Sequence, residues 1–181
     1  MAINAANAQA YLWKADAQRQ LAAAEKSAAR QRQLYSDARE GYRQFLDRTN
    51  FSSGFVSRLA FHAIGMGVGS RSHADRLEAY DSLRSAGFLG LCLSEQKVGN
   101  LLRARDCCQR ALKHTPNDPI GYFLLGNVNR DLFNARASCQ DLMSARSSYQ
   151  RMLTINGDID EARNARNSLG QIEAIAKVAG C

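Results

Sequence analysis

An internal repeat constrains this chain more than any other feature. Residues 88–118 read "FLGLCLSEQKVGNLLRARDCCQRALKHTPND", and a second copy opens at 122 with "YFLLGNVNRDLF". Phe88 matches Tyr122, Leu91 matches Leu125 and Cys92 matches Gly126, each 34 residues apart. In the second halves Ala104 matches Ala145, Cys108 matches Tyr149, Ala111 matches Met152 and Pro116 matches Gly157, each 41 apart. The second copy therefore holds about seven extra residues, or two turns at about 3.6 residues each. One extra turn in each arm of a helical hairpin would lengthen it without rotating its buried face. Such units cannot bury their apolar stripes alone, so neighbours must stack. Good helix formers dominate 17–33 and 135–153, prolines are confined to Pro116 and Pro119, and period-2 apolar alternation is hard to find. The expected fold class is all-α.

The pattern resembles the tetratricopeptide repeat: an aromatic, Leu-Gly, a small residue, an aromatic, a second small residue and a closing proline. Copy one fills these places with Phe88, Leu91-Cys92, Ala104, Cys108, Ala111 and Pro116, and puts Gly99 at the inter-helix turn. Copy two has Tyr122, Leu125-Gly126, Ala145 and Tyr149, then Met152 and Gly157. The resemblance runs over 85–159. It departs from the family at Cys108, at Met152 and in the longer second hairpin. It implies a superhelical array of antiparallel helical hairpins.

The rest of the chain is read around that array. Residues 1–50 form an N-terminal helical segment packing on the repeats, and 51–181 form the repeat domain, one domain in all. Ala38, Tyr42, Phe45 and Asn50 have the spacing of a second repeat helix. Before them, 8–33 is an alanine-rich helical stretch without Gly or Pro, with Ala10, Ala17, Leu21, Ala24 and Ala28 near heptad spacing. One helix from 8 to 48 is compatible with this. So is a hairpin whose second helix starts at a capping box, Asp37 to Glu40. We take the hairpin. Phe51 to Gly54 reads as a loop, 55–66 and 72–86 as helices, and 160–180 as a capping helix or helix pair.

The stretch "AIGMGVGSRS" (63–72) resembles a phosphate loop only superficially. Gly65-x-Gly67-x-Gly69 is not the dinucleotide fingerprint, and no Gly-Lys-Ser/Thr follows. A helix-ending glycine, a short turn and Ser70 or Ser72 as the next N-cap is the reading adopted, with a hinge as a further role.

Chemistry is sparse. His62, His73 and His114 belong to no metal or nucleophile motif; His114 sits near a helix end, where a cation is mildly favoured. The five cysteines are odd in number, two are adjacent and no C-x-x-C occurs. A disulfide framework or zinc site is therefore not expected, and a cytoplasmic or other reducing compartment is. Cys92 and Cys108 are expected to be buried as small hydrophobes, with Cys107 pointing outward. "MAINAANAQA" lacks the apolar core of a secretory leader, and no apolar run is long enough for a bilayer span. No enzyme, cofactor or metal is expected.

A surface remains. The resemblance implies that the first helix of each hairpin lines a concave groove. Its groove-facing places hold Ala86, Leu89, Leu93, Gln96 and Lys97 in copy one, and Ile120, Phe123, Asn127, Arg130 and Asp131 in copy two. The Lys/Asn clamp with which some family members hold acidic C-termini is not carried over, because only Asn127 matches it. An apolar groove with a polar lip suits an amphipathic helix or extended peptide of a partner subunit. Leu89, Leu93 and Phe123 would anchor it and Arg130 would set polarity, unless the chain's own terminal helices cover them. The expected function is a protein-binding scaffold or adaptor in a larger complex. A first alternative is a chaperone of secreted proteins: bacterial type III secretion translocator chaperones are similar in size and in having three repeats, but are usually acidic. This chain has a net charge of +7, with 19 Arg against 5 Lys. A second alternative is therefore RNA binding. Acidic and basic residues are interspersed rather than segregated, which argues against a nucleic-acid partner.

Overall fold

A computed structural model describes residues 5–50 and 73–181. These form seven α-helices: α1 (Ala5–Ala24), α2 (Ala28–Arg48), α3 (His73–Lys97), α4 (Leu101–His114), α5 (Pro119–Arg136), α6 (Cys139–Ile155) and α7 (Glu161–Ala179). No strand occurs among the described residues. Three adjacent hairpins, α1/α2, α3/α4 and α5/α6, pack in chain order, and α7 packs on α6. The expected helix at 55–66, the glycine turn at 63–72, its serine caps and His62 lie outside the described residues.

Polar side chains at the turns decide where the helices break. Between α1 and α2, Ser27 Oγ accepts from the Arg30 N–H, Glu25 accepts from the Ser27 N–H, and the Gln31 amide donates to the Ala22 carbonyl. These bonds satisfy backbone groups that helix termini leave open. The hairpin is therefore present, but the break lies at 25–27, not at 37–40. Asp37 sits inside α2, where it accepts from Gln33 one turn earlier. Likewise 72–86 is not a separate helix. It continues as α3 to Lys97, because Gly87 and Gly90 lie under aromatic rings of α2 instead of ending the helix. The α3–α4 turn uses Gly99 at φ +90°, while the α5–α6 turn places Ala137 in the left-handed region, at φ 53°. α6 has 17 residues against 14 in α4, but α5 has 18 against 25 in α3, so only when the first copy is counted from residue 85 do the extra residues fall in both arms. The C-terminal stretch is one helix, α7.

The core has two main parts. Residues of α1 to α5 build one, with Tyr42, Phe45, Phe88 and Val128 fully or almost fully buried. Leu142, Tyr149, Met152 and Ile172 build the other, flanked by Tyr122 and Phe123 of α5.

Equivalent places in the three hairpins carry equivalent ties. In the first, the Tyr42 hydroxyl donates to Asp16 at 2.5 Å. In the third, the Tyr149 hydroxyl donates to Asn127 at 2.8 Å, and a Cβ on Gly126 would lie 2.7 Å from the Tyr149 ring. In the middle hairpin Cys92 and Cys108 stand where Gly126 and Tyr149 stand in the third, and they are joined by a disulfide, with Cα atoms 5.4 Å apart. A second disulfide, Cys139–Cys181, ties the start of α6 to the residue after α7's capping Gly180. This corrects the expectation of unpaired cysteines. Even count and C-x-x-C spacing are poor guides when partners lie in different parts of the chain, 16 and 42 residues apart. Cys107 is the free cysteine, and it is buried rather than outward-facing. The pairing removes the ground on which a reducing compartment was expected, and it does not establish another. Under denaturing, non-reducing conditions one thiol per chain should react with a chromogenic thiol reagent, and all five after reduction. Five reactive thiols before reduction would refute the pairing.

Candidate protein-binding surface

The helices divide into two sets. The backbones of α1 and α3, of α3 and α5 and of α5 and α7 approach each other, whereas among the described residues those of the even-numbered helices do not; α4 and α6 meet through the Arg105–Asp141 side-chain contact. The odd-numbered helices thus form one continuous layer, the inner layer, with α2, α4 and α6 packed on it. The residues proposed as a groove lie on α3 and α5 of this inner layer. Leu89, Leu93, Gln96, Ile120, Phe123, Asn127 and Arg130 are half-buried, and Lys97 is exposed.

The structure joins several of them. The Gln96 amide donates to Asp131 at 2.7 Å, linking α3 to α5. Asn127 receives the Tyr149 hydroxyl, and Arg130 Nη1 donates to Ser168 Oγ on α7 at 3.0 Å. Phe123 packs on the second core cluster with its ring centroid 6.1 Å from that of Tyr149, and Leu89 packs on the first. Leu89 therefore has core contacts of its own and still keeps part of its surface in solvent, as do Leu93 and Phe123.

Concavities flank the layer. Ala86 and Leu89 line a cavity of about 700 Å³ where α3 meets the α4–α5 turn, beside Asp81, His114 and Asp118. His114 closes α4 with its ring stacked on Phe88, centroids 5.7 Å apart. Its Nε2 accepts from Arg84 Nε at 3.4 Å, so Nδ1 carries the proton and donates to Asp81 at 2.8 Å. Another cavity, of about 440 Å³, opens on the outer side between α2, α3 and α4. A third, of about 860 Å³, lies between α4, α5 and α6. Among the described residues no group of three His, Cys, Asp or Glu is placed to hold a metal ion, and no helix is long and apolar enough to cross a membrane.

Two buried carboxylates, neither singled out from sequence, brace this framework. Glu95 of α3 is 1% exposed and binds Arg43 and Asn100, with Arg39 3.7 Å away. Asp141 of α6 is 2% exposed and accepts from Arg136 and Arg105. The hydrogen bond from Arg136 holds the Asp141 carboxyl below its usual pKa despite burial. A lowered pKa means that the ionised carboxylate stabilises the fold above about pH 3.9, its usual unfolded value. That contribution disappears as pH falls through the lower folded value. Asp141→Asn should therefore be less stable than the parent chain at pH 7, and the gap should narrow as pH falls below about 3.9 in urea unfolding. A gap independent of pH would refute the role of this charge. In sequence these groups had no signal beyond a mix of charges, because their partners lie up to 52 residues away.

No protein-family model matches the sequence, and no curated protein matches it either. The case for function therefore rests on the geometry of this chain.

Proposed function

We propose that this chain is a tetratricopeptide-like protein-binding scaffold, a subunit or assembly factor of a larger complex. In this reading its inner helices form the concave side of a superhelical array and receive an amphipathic helix or extended segment of a partner. One observation carries the reading: the backbones of odd-numbered helices approach each other in series while those of even-numbered ones do not. Layers that meet on one side and separate on the other give a curved stack, and the curved side of such a stack is an extended binding surface. The recurrence of the tyrosine tie, with a disulfide in its place in the middle hairpin, supports a repeat origin for the three units. The half-exposed Leu89, Leu93 and Phe123 supply apolar contact, and Lys97 a charged lip. The reading includes no catalytic step.

Site-specific photo-crosslinking tests it. A photoreactive phenylalanine analogue at Leu93 or Lys97, in chain expressed in its native source, should capture the same discrete protein. The analogue at Arg103, exposed on the outer α4, should not capture it. Capture from the outer position alone, or from neither face, would overturn the assignment of the inner layer.

A further inference from the structure

The outer cavity of about 440 Å³ between α2, α3 and α4 has the size of a small-molecule site. Its floor is apolar: Leu46 of α2, Phe88 and Leu91 of α3, and Cys107 of α4. All four are at least nine-tenths buried. Arginines meet this floor. Arg84, only 5% exposed, lines the cavity with its guanidinium carbon 5.3 Å from the Phe88 ring centroid. Arg110 lies over the same ring at 4.4 Å.

Arg84 is held entirely by neutral groups. Its Nη1 donates to the Leu46 carbonyl and to Thr49 Oγ1, both at 3.1 Å, and its Nε donates to His114. Among the described residues no carboxylate lies within ion-pair distance of it. Burial lowers its pKa and neighbouring Arg110 pushes the same way, only partly opposed by Tyr80 and by the more distant Asp81. A buried charge without a carboxylate in direct contact is costly, and an anion brought into the cavity would offset that cost. The other basic groups that line the cavity are differently placed: Arg43 is engaged by Glu95, Arg103 is exposed, and Arg110 has only a 4.0 Å contact with Asp106. Asp47, Glu95 and Asp106 also line the cavity, so a doubly charged head group would meet repulsion.

We propose that this cavity binds a small amphiphilic monoanion, an aliphatic or arylalkyl carboxylate. Arg84 and Arg110 hold its head group, and Leu46, Phe88 and Leu91 pack along its tail. Guanidinium groups suit a carboxylate through paired N–H donors. The site uses Arg84, Phe88 and Leu91 of α3 rather than Leu89 and Leu93, and does not depend on a partner protein.

Calorimetric titration of the full chain with sodium octanoate tests the proposal, with 1-octanol and octyl phosphate as comparison probes. Octanoate should bind saturably at one site. Octanol should bind about tenfold more weakly, the ratio expected from loss of one charge-assisted hydrogen bond. Arg110→Gln, at a half-exposed side chain, should fold normally and weaken octanoate about tenfold. Arg84→Met should remove binding. If circular dichroism shows that this variant does not fold, Arg110→Gln and the probe series still decide. Bound octanoate should also slow alkylation of Cys107, the free thiol in the cavity wall. Equal affinity for octanol and octanoate, tighter binding of octyl phosphate, or no saturable octanoate uptake would each overturn the proposal.

Discussion

Gly90→Leu should lose about 3 kcal/mol of stability, at the upper end of the usual cost of overpacking a core. For a chain of this size that corresponds to a melting temperature lower by about 10 °C. The reason is a close approach between α3 and α2. A Cβ on Gly90 would lie 2.2 Å from the Tyr42 ring, and Tyr42 is completely buried. The ring cannot swing away, because its hydroxyl is held by Asp16 and Arg19 on α1. Any side chain at Gly90 must therefore separate the first hairpin from the second. Gly170→Ala is the control. That glycine is inside α7 with no atom within 4 Å of the added methyl, so helix propensity should raise stability by about 0.5–1 kcal/mol. Thermal unfolding followed by circular dichroism separates the cases. A Gly90→Leu chain that melts with the parent would show that α2 and α3 do not meet in this register.

Glu95→Ala comes next in size, at about 2–3 kcal/mol in urea unfolding. Removing one member of a buried ion pair costs about 3–5 kcal/mol when the remaining charge stays in the interior. Here Arg39 and Arg43 keep 25% and 35% of their side chains in solvent, which reduces the cost. Asn100, at the N-cap of α4, also loses the carboxylate that holds its amide at 2.7 Å. The same substitution thus disturbs the α2–α3 contact and the α3–α4 turn. Glu95→Gln keeps a carbonyl acceptor for Asn100 and should cost less than Glu95→Ala. If the two variants are equally stable, the buried hydrogen bonds contribute nothing.

Local period and turn chemistry made the helices legible. The 4-3-5 spacing of Ala38, Tyr42, Phe45 and Asn50 marked α2 because small and aromatic residues at that interval meet a neighbouring helix wherever it comes from. Gly99 and Pro116 marked turns because they act on their own backbone. The break at 25–27 was hidden inside an alanine-rich run. Three ordinary polar side chains make it, and none is a strong breaker alone. The disulfide was within reach of the repeat alignment. Cys92 and Cys108 align with Gly126 and Tyr149, a touching pair, so contact between the two sulfurs follows from the register once the hairpin is granted. Burial of Cys107 was not legible, because it depends on a core cluster assembled from several helices. The same holds for Arg84. Its neighbours Leu46, Thr49 and His114 come from two other helices and a helix end, and only the assembled fold brings them to one guanidinium.

The Cys139–Cys181 bridge alters how the C-terminal part responds to force. A pull applied at Cys181 passes through the sulfur bond directly to the first residue of α6, so α7 lies outside the loaded path. Traction from that side would reach the α5–α6 turn first, and peeling the last helix would first require a reductant.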